Sequence, residues 1–329
     1  MNPNVPGGCW ALVLAGGEGS RLRSLTTTSA GVAIPKQYCS LRGGCSLLHE
    51  ALRRAESIAL PQRICAVVAS KHRDWWQNAL RQLSVDNVVI QPGNCGTASG
   101  ILLPLLAIMA QDRDATVVIL PSDHHVEDER VLADALQGAV RALGRHPNEV
   151  LLLGIAPDEA DPELGYIVPG RLDGNGAATV LKFVEKPATA AAKELIAQGA
   201  LWNAFIIAGR AAALLSLFAE NAPELLLKMR RALEVSPHRP DPAAIEELYR
   251  TLTPLDFSRH ILRGQEAHLR VMRVPPCGWT DLGTPKRVAV LLSRMYSRKA
   301  ETFDGLHGSG ALNLAAQYRR RQREAALSA

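Results

Sequence analysis

The stretch C-W-A-L-V-L-A-G-G-E-G-S-R-L-R, residues 9–23, joins an apolar run to a glycine-rich turn. A short, continuous apolar run followed by glycines predicts a strand buried on both faces, ending in a tight turn. Glycine has no Cβ, so the backbone can approach a ligand closely, and successive N–H groups in such a turn form an anion site. Arg21, and Lys36 within P-K-Q, add two positive charges. The stretch therefore predicts a nucleoside triphosphate bound at the first turn of an α/β sheet.

Two other phosphate-binding loops fit this turn less well. A P-loop ends in G-K-[ST], whereas Gly19-Ser20-Arg21 stands here. A dinucleotide fingerprint needs three glycines in G-x-G-x-x-G, and Gly17 and Gly19 supply only the first two. The glycines alone are equally compatible with a plain structural turn. The two cations and the P-K-Q triplet favour a functional loop.

Strand-like and helix-like segments alternate through the first half of the chain. Short aliphatic or β-branched runs predict further strands at 63–69, 87–90, 116–120 and 150–154. Helical patterns lie between them at 46–59, 72–83, 97–111 and 129–143. This order predicts an α/β fold with a Rossmann-like, mostly parallel sheet and helices on both faces. Ligands of such sheets bind outside the carboxyl ends of the strands, where the glycine-rich turn would lie.

The second half of the chain is less regular. A turn-rich segment between 165–168 and 180–184 predicts a hairpin, and 268–274 predicts one more strand. Helices are expected at 188–198, 210–219, 223–234, 243–252 and 285–296. The sequence thus predicts one domain over residues 9–296. Residues 297–329 are expected to form a basic C-terminal extension, helical or partly disordered.

Composition limits the function classes. Apolar residues make up 47% of the 329 residues and charged ones 21%, which is typical of a soluble globular protein. The net charge is +5, but residues 298–329 hold six Arg or Lys against three acids, so the body has little excess charge and no nucleic-acid partner is predicted. Six cysteines without a C-x-x-C pair, no signal-peptide pattern and no apolar run long enough for a bilayer predict a cytoplasmic protein without membrane contact. The sequence does not fix the oligomeric state, and a homo-oligomer is compatible with it.

The turn and the P-K-Q triplet carry a family resemblance. G-G-E-G-S-R-L-R-S-L-T followed by P-K-Q is similar to the signature of the sugar-1-phosphate nucleotidyltransferases, and the similarity extends over residues 11–291. It implies a glycosyltransferase-A-like core whose substrates are a nucleoside triphosphate and a sugar 1-phosphate. In that family the loop wraps the triphosphate, and an arginine and a lysine, here Arg21 and Lys36, are catalytic. The implied nucleotide contacts are Leu14, Ala15, Gly16, Gly17, Gly19 and Ser20.

Two aspartates are candidates for a metal site. Asp123 follows the predicted strand 116–120, where it could hold Mg²⁺ or cap the next helix, and the residues alone leave both open. Its P-S-D-H context is similar to the metal-binding segment of mannose-1-phosphate guanylyltransferases within the family. Asp281, in W-T-D-L-G, resembles the second metal aspartate, so the resemblance implies that both hold Mg²⁺. His124 and His125 lack further ligands at suitable spacing and are expected to pack or hydrogen-bond.

Further motifs resemble the family's sugar-binding segments. Glu185-Lys186-Pro187 is similar to its E-K-P, which implies that Lys186 contacts the sugar phosphate as a catalytic cation and that Glu185 contacts hydroxyls. Asn203 lies in a W-N pair, and its amide can both donate to and accept from a sugar hydroxyl pair. Gly165 and Tyr166 are expected to offer backbone contacts. The resemblance divides the domain into a nucleotide-binding half, about 9–155, and a sugar-phosphate-binding half, about 156–296.

The segment Q-P-G-N-C-G-T-A, residues 91–98, occupies the family position that reads the base. Gln91, Gly96 and Thr97 are expected to contact the nucleotide, with Gln91 and Gly96 at the base. Thr97 is also expected to cap the next helix. Family guanylyltransferases usually show a basic residue followed by N-T-A-P, of which only T-A stands here. The implied reaction is transfer of a nucleotide from GTP to mannose 1-phosphate, giving GDP-mannose for polysaccharide synthesis. A uridylyl- or thymidylyltransferase acting on glucose 1-phosphate, or a catalytically silent sugar-nucleotide sensor, remains the alternative.

Overall fold

The structure is a computed structural model that describes residues 8–41, 43–234, 241–297 and 313–327. The strands of its sheet are β1 (Cys9–Ala15), β2 (Ile64–Ala69), β3 (Val88–Gln91), β4 (Thr116–Pro121), β5 (Val150–Ile155), β6 (Gly165–Leu172), β7 (Ala177–Glu185), β8 (Leu201–Arg210) and β9 (Leu269–Arg273). The helices are α1 (Arg23–Thr26), α2 (Leu47–Glu56), α3 (Arg73–Ala79), α4 (Gly96–Gln111), α5 (Glu129–Leu143), α6 (Thr189–Ala197), α7 (Ala211–Asn221), α8 (Pro223–Leu233), α9 (Pro242–Thr251), α10 (Pro285–Ser297) and α11 (Leu314–Leu327).

The strands form one sheet in the order β3-β2-β1-β4-β8-β5-β9-β7-β6. The pairings β3–β2, β2–β1 and β1–β4 are parallel, as the alternation of strands and helices predicts. Strands β6 and β7 form the expected antiparallel hairpin, and β5 pairs with β9 in parallel. The α/β prediction is confirmed, and the parallel part of the sheet is concentrated in the first half of the chain.

Strand β8 was not predicted from the sequence. It runs antiparallel to both β4 and β5 and joins the two halves of the sheet. Its sequence, L-W-N-A-F-I-I-A-G-R, is almost entirely buried. The apolar run around Ile206 and Ile207 is the signal that would have indicated a buried strand. The W-N pair at its start resembles a sugar-binding segment and does not by itself predict a strand.

Helices cover both faces of the sheet, as predicted. Alternate residues of β1 point to opposite sides, so Leu12 packs in one hydrophobic core and Val13 in the other. The first core includes side chains of α4, α7, α8 and α9, and the second includes side chains of α2, α3, α5 and α6. Because β1 is buried on both faces, its continuous apolar sequence follows from its place in the sheet.

The C-terminal helix α11 packs beside the glycine-rich turn. The Leu314 N–H donates to the Ser40 carbonyl at 2.8 Å, and the Ala315 N–H donates to the Leu41 carbonyl at 3.1 Å. Leu314 is buried in a small third core together with Leu22 and Leu25. The prediction of a helical C-terminal extension is confirmed over α11, whereas residues 298–312 lie outside the described part of the chain.

Two further predictions concern thiols and membrane contact. The cysteines at 9, 39, 45, 65, 95 and 277 all carry free thiols, as expected from their spacing. Within the described ranges, the structure contains no helix with the length and apolarity that a bilayer crossing requires.

We expect Gly96→Ala to destabilise the fold more than a matched glycine substitution elsewhere. Gly96 has φ +81°, and an added Cβ would lie 2.7 Å from the Leu255 carbonyl carbon and 2.8 Å from its nitrogen. Gly176, in the β6–β7 turn, has φ +82° but nothing within 4 Å of such a Cβ. Both alanine variants pay about 1–2 kcal/mol for the left-handed backbone, and only Gly96→Ala must also displace Leu255. Urea unfolding of the two variants measures the difference, and equal losses would contradict a close approach at Gly96.

Candidate active site

The glycine-rich turn is fastened by the P-K-Q segment. The Gln37 side-chain amide donates to the carbonyls of Ala15 and Gly17 at 3.0 and 2.8 Å. Gly19 has φ 61°, and a Cβ there would lie 2.9 Å from the Lys36 nitrogen. The third and last glycine of the turn is therefore required for close packing against Lys36. The two motifs that the sequence singled out form one unit at the carboxyl end of β1.

The Lys36 ammonium lies at the centre of a buried polar cluster. Its side chain is 5% exposed, and Nζ lies 2.8 Å from Asp123 Oδ2. The same Nζ donates to the carbonyl oxygens of Asp281, at 2.6 Å, and Leu282, at 3.4 Å. Three predicted site residues separated by as many as 245 positions in the sequence thus meet around one ammonium.

A short antiparallel bridge brings the two aspartates together. His125 and Thr280 exchange backbone hydrogen bonds, both 2.9 Å long. Asp123 precedes this bridge on one strand segment and Asp281 follows it on the other. Helix α5 is capped by Asp128, whose Oδ1 accepts from the N–H groups of Arg130 and Val131 at 3.0 and 3.3 Å. The alternative role of Asp123 as the cap of this helix is therefore excluded.

The electrostatics of the cluster keep both aspartates ionised. Burial alone would raise the pKa of Asp123, but the Lys36 ammonium and His124 hold it below its usual value. Burial would likewise raise the pKa of Asp281, and the Arg287 guanidinium, with smaller contributions from His124 and Lys36, lowers it. Burial lowers the pKa of His124 to about 4, so this ring is neutral at pH 7.

His124 and His125 pack as the sequence predicts. The His124 ring stands edge-on to Trp279, with 5.2 Å between the ring centroids. His125 Nδ1 lies 3.6 Å from Glu50 Oε2. Among the described residues, no three or more His, Cys, Asp or Glu side chains are grouped so that they could hold a metal ion.

Arg21 lies at the edge of the site rather than in the Lys36 cluster. Its guanidinium pairs with Glu163 at 3.1 Å, and both side chains are about half exposed, at 50% and 48%. Glu163 belongs to the loop between β5 and β6, residues 156–164, which we call the β5–β6 loop. This loop also carries Asp161, which contacts Arg287. The Arg21 side chain is therefore connected to the cluster through this loop.

The predicted sugar-binding residues form a second group beside the same loop. Glu185 Oε2 lies 2.6 Å from the position that a Cβ on Gly165 would take, and Asn203 Cβ lies 3.3 Å from it. Lys186 is exposed with φ 50°, and its N–H donates to the Leu164 carbonyl at 3.2 Å. The structure brings Gly165, Glu185 and Asn203 together, with Lys186 at the surface next to them.

Two side chains of this group already have protein partners. The Asn203 amide is buried, accepts from the Phe205 N–H at 3.0 Å and reaches Ser258 Oγ at 3.5 Å. The Tyr166 ring is fully buried, and its hydroxyl accepts from the Asp161 N–H at 2.8 Å and donates to the Asp161 carbonyl at 3.0 Å. Tyr166 thus shapes the β5–β6 loop through its side chain, a role that its position beside Gly165 did not indicate.

The predicted base-reading segment is anchored to the second half of the chain. Gln91 is buried, and its Oε1 accepts from the Tyr249 hydroxyl at 3.1 Å. Thr97 Oγ1 accepts from the Phe257 N–H at 2.7 Å. Helix α4 begins at Gly96, whose N–H donates to Asn94 Oδ1 at 2.9 Å, so the prediction that Thr97 caps this helix is wrong. The reason is that Thr97 already lies inside the helix and its hydroxyl is used by Phe257.

Arg287 and its acidic partner Asp161, as well as Glu163, were not predicted as site residues from the sequence. Arg287, on α10, bonds Asp281 Oδ1 through Nη1 at 2.5 Å and pairs with Asp161 Oδ2 through Nη2 at 2.5 Å. Glu163 pairs with Arg21. The available signal was the spacing of Arg287 six positions after Asp281, on a helix whose start was predicted. Neither Asp161 nor Glu163 lies in a recognisable motif.

We expect Glu185 to give the fold a pH dependence near neutrality. Burial, with the nearby Asp256 charge, raises the pKa of Glu185 from the usual 4.5 to about 7 despite Lys186 and Arg259. Between these values the folded state binds more protons than the unfolded state, so the free energy of unfolding falls as the pH rises. The neutral variant Glu185→Gln should lose this decline. Urea midpoints of both proteins between pH 4 and 8 provide the measurement, and parallel curves would contradict the assignment.

Comparison with known proteins places these motifs in a family. The nucleotidyl transferase family model matches residues 10–292. Mannose-1-phosphate guanylyltransferase ManC of Salmonella typhimurium is 28% identical over 285 residues, covering 84% of this chain and 58% of the relative. Alginate biosynthesis protein AlgA of Pseudomonas aeruginosa is 29% identical over 282 residues, covering 83% and 56%. The chain therefore spans a little more than half the length of these relatives.

Solved structures share the fold over most of the chain. A structure described as mannose-1-phosphate geranyltransferase from Thermus thermophilus has a TM-score of 0.75 and 26% identity, covering 90% of this chain and 81% of that one. The inositol-1-phosphate CTP transferase of T. maritima, at 14% identity and a TM-score of 0.53, covers 91% of this chain and 98% of its own and shares the fold alone. The region that the family model matches, residues 10–292, contains the glycine-rich turn and the whole Lys36 cluster. The chain belongs to the nucleotidyl transferase family.

Proposed function

We propose that this chain transfers a nucleotide from a nucleoside triphosphate to a sugar 1-phosphate, releasing pyrophosphate. The observation that carries the proposal is the Lys36 ammonium, held within 2.8 Å of the Asp123 carboxylate and 2.6 Å of the Asp281 carbonyl. A buried cation that contacts one ionised carboxylate and the backbone of a second acidic residue, beside a glycine-rich turn, suits a reaction that gathers phosphate groups. The family and its printed relatives support the same reaction class.

The chemistry needs positioning and charge stabilisation more than proton transfer. An oxygen of the sugar phosphate attacks the α-phosphorus of the triphosphate in line, and the bond to the β-phosphate oxygen breaks. The nucleophile is already an anion, so no general base is required. The rate enhancement then comes from two effects. The protein holds the sugar phosphate and the α-phosphate of the triphosphate in line, and it stabilises the charge that develops on them.

The chain's cations divide this work. Lys36 is fixed by three acceptors and would stabilise charge at the α-phosphate. Arg21 is exposed at the mouth of the glycine-rich turn, where it could leave Glu163 for the triphosphate. Lys186 would steer the phosphate of the sugar, since a lysine on a flexible stem follows a group that must move. The nucleotide contacts that we propose are Leu14, Ala15, Gly16, Gly17, Gly19, Ser20, Gln91, Gly96 and Thr97.

The two aspartates fit a Mg²⁺ site. Both remain ionised, and the Asp123 side chain is 37% exposed, so it faces the open side of the cluster where phosphates would enter. Mg²⁺ commonly takes one or two carboxylates and completes its shell with phosphate oxygens and water. Asp123 and Asp281 would hold the ion, which when bound neutralises phosphate charge and orients the reacting groups.

We propose GTP and mannose 1-phosphate as the preferred substrates, with GDP-mannose as the product. This choice is supported by ManC of Salmonella typhimurium, which is named a mannose-1-phosphate guanylyltransferase. We assign sugar recognition to Gly165, Tyr166, Glu185 and Asn203, within the second half of the domain, about 156–296. The first half, about 9–155, would bind the nucleotide.

Pyrophosphate release from a panel of substrates tests the proposal. The purified chain is assayed with each of GTP, UTP, dTTP, ATP and CTP against mannose, glucose and galactose 1-phosphates, with Mg²⁺ and with EDTA. We expect the fastest Mg²⁺-dependent release with GTP and mannose 1-phosphate. A faster reaction of glucose 1-phosphate with UTP or dTTP would overturn the substrate assignment. No release with any pair, together with binding of a sugar nucleotide, would identify a sensor instead of an enzyme.

A further inference from the structure

We propose that Arg287 is a positioning residue that fixes the orientation of the Asp281 carboxylate for metal binding. The inference rests on the proposed function, because it concerns the same two-aspartate site. Arg287 lies on α10, outside the glycine-rich turn and outside every motif that carries the family resemblance. Its role follows from its contacts alone.

The Arg287 guanidinium is held on three sides. Nη1 donates to Asp281 Oδ1 at 2.5 Å, and Nη2 lies 2.5 Å from Asp161 Oδ2. Its central carbon lies 5.0 Å from the centroid of the Trp202 ring, so the indole face supports the planar group. The side chain is 9% exposed, which leaves it little freedom to adopt another rotamer.

This arrangement leaves one oxygen of Asp281 for a further partner. Arg287 occupies Oδ1, and no hydrogen bond or ion pair of the described residues uses Oδ2. The carboxylate also packs against Gly283, because a Cβ on that residue would meet Asp281 Oδ2 first and would lie 3.1 Å from Cγ. A carboxylate restrained in this way presents Oδ2 in one direction. Restraint of metal ligands by an outer partner is a general feature of metal sites.

Asp161 connects the guanidinium to the rest of the site. Its backbone is fixed by two hydrogen bonds with the Tyr166 hydroxyl. Two residues further along the β5–β6 loop, Glu163 pairs with Arg21. Arg287 therefore ties the metal carboxylate to the same loop that holds the exposed arginine of the glycine-rich turn.

A neighbouring ion pair offers a matched control. Lys286 pairs with Glu159 at 3.1 Å, which joins α10 to the β5–β6 loop as the Arg287–Asp161 pair does. The Lys286 side chain is 74% exposed, and its ion pair is with Glu159, whereas Asp281 is paired with Arg287. Substitution of Lys286 therefore removes a cation from the same helix without releasing the carboxylate.

The experiment measures metal binding separately from turnover. Mn²⁺ affinity is determined by electron paramagnetic resonance on the full chain with GTP present and sugar 1-phosphate absent, for the wild type, Arg287→Gln, Arg287→Lys and Lys286→Gln. Thermal melting confirms that each variant is folded. The Mg²⁺ dependence of pyrophosphate release is measured on the same proteins.

We expect Arg287→Gln to weaken Mn²⁺ binding by about 10–100-fold, which is the usual effect of removing an outer partner of a metal ligand. Arg287→Lys should lose less Mn²⁺ affinity than Arg287→Gln. An ammonium can still bond Asp281, but it lacks the planar fork with which a guanidinium reaches Asp281 and Asp161 together. Lys286→Gln should bind Mn²⁺ as the wild type does. If Arg287→Gln does not fold, the Arg287→Lys variant decides the matter.

Folded Arg287 variants with unchanged or tighter Mn²⁺ binding would overturn the inference while leaving the proposed function intact. An equal weakening of Mn²⁺ binding in Lys286→Gln would also overturn it. The effect would then come from loss of any ion pair between α10 and the β5–β6 loop, and not from release of the Asp281 carboxylate. A wild type that releases no pyrophosphate with any substrate pair would instead contradict the proposed function. The two failures are thus distinguishable.

Discussion

Asp123→Asn is expected to lower kcat for pyrophosphate release on the order of 10³-fold, the upper range for loss of a single charge-stabilising group. The substitution keeps the shape of the side chain but removes the charge that the Lys36 ammonium faces at 2.8 Å. It also removes one of the two proposed metal carboxylates. Because amide oxygens bind Mg²⁺ more weakly than carboxylates, a higher Mg²⁺ concentration should restore part of the lost rate.

The stability of Asp123→Asn should change little. The Asp123 side chain is 37% exposed, so its ion pair with Lys36 is partly screened by water and is worth about 1 kcal/mol. Lys36 would keep its hydrogen bonds to the carbonyls of Asp281 and Leu282. The urea midpoint of the variant, measured beside its rate, separates loss of chemistry from loss of fold.

Asp112→Asn is the matched control for this prediction. Asp112 pairs with Arg63 at 3.0 Å and accepts from the Trp10 indole at 3.2 Å. These contacts lie near the amino end of β1, away from the Lys36 cluster. The Asp112→Asn control should have a lower urea midpoint than the wild type and an unchanged kcat for pyrophosphate release. A folded Asp123→Asn protein with wild-type kcat at limiting Mg²⁺ would refute the metal role of Asp123.

Local patterns of the sequence were sufficient to predict most of the elements. Helix α5 shows why, since its regular apolar stripe predicts its span, although the residue that caps it is Asp128 and not Asp123. Strand β8 carries a local signal in its apolar run, but its place in the sheet could not be predicted, because that place is fixed by pairing with β4 and β5. Such pairing depends on contacts between distant segments, and the local sequence of β8 contains polar as well as apolar residues.

The site shows the same division. The parallel strands β1 and β4 end at one edge of the sheet, so the glycine-rich turn and Asp123 could be predicted to lie close together. Lys36 stands well beyond the end of β1, and its place in the same site was implied only by the family resemblance. The partners of Arg287 could not be predicted, because a helical pattern does not tell which loop its side chains will meet. Thr97 illustrates the opposite error: its position suggested a helix cap, but the distant Phe257 uses its hydroxyl.

Lys36→Met is expected to lower kcat/KM by about 10²–10³-fold, because it removes a fixed cation without a large change in side-chain length. Unlike Asp123→Asn, this variant should not recover at high Mg²⁺, since the lost charge belongs to the protein. It should also be less stable by about 1–3 kcal/mol. The substitution removes the donor that serves three acceptors, which are the Asp123 carboxylate and the carbonyls of Asp281 and Leu282. Because the Lys36 side chain is only 5% exposed, water replaces this donor poorly.

Lys286→Met is the control, because it removes the same charge from an exposed pair with Glu159. It should leave kcat/KM unchanged, and a loss equal to that of Lys36→Met would show that the effect is one of net charge. The double variant of Lys36 and Asp123 completes the test. The two side chains are in contact at 2.8 Å, so their effects on the activation free energy should be less than additive. Full additivity would mean that the ammonium and the carboxylate act on separate steps, which contradicts a single charge cluster around the phosphates.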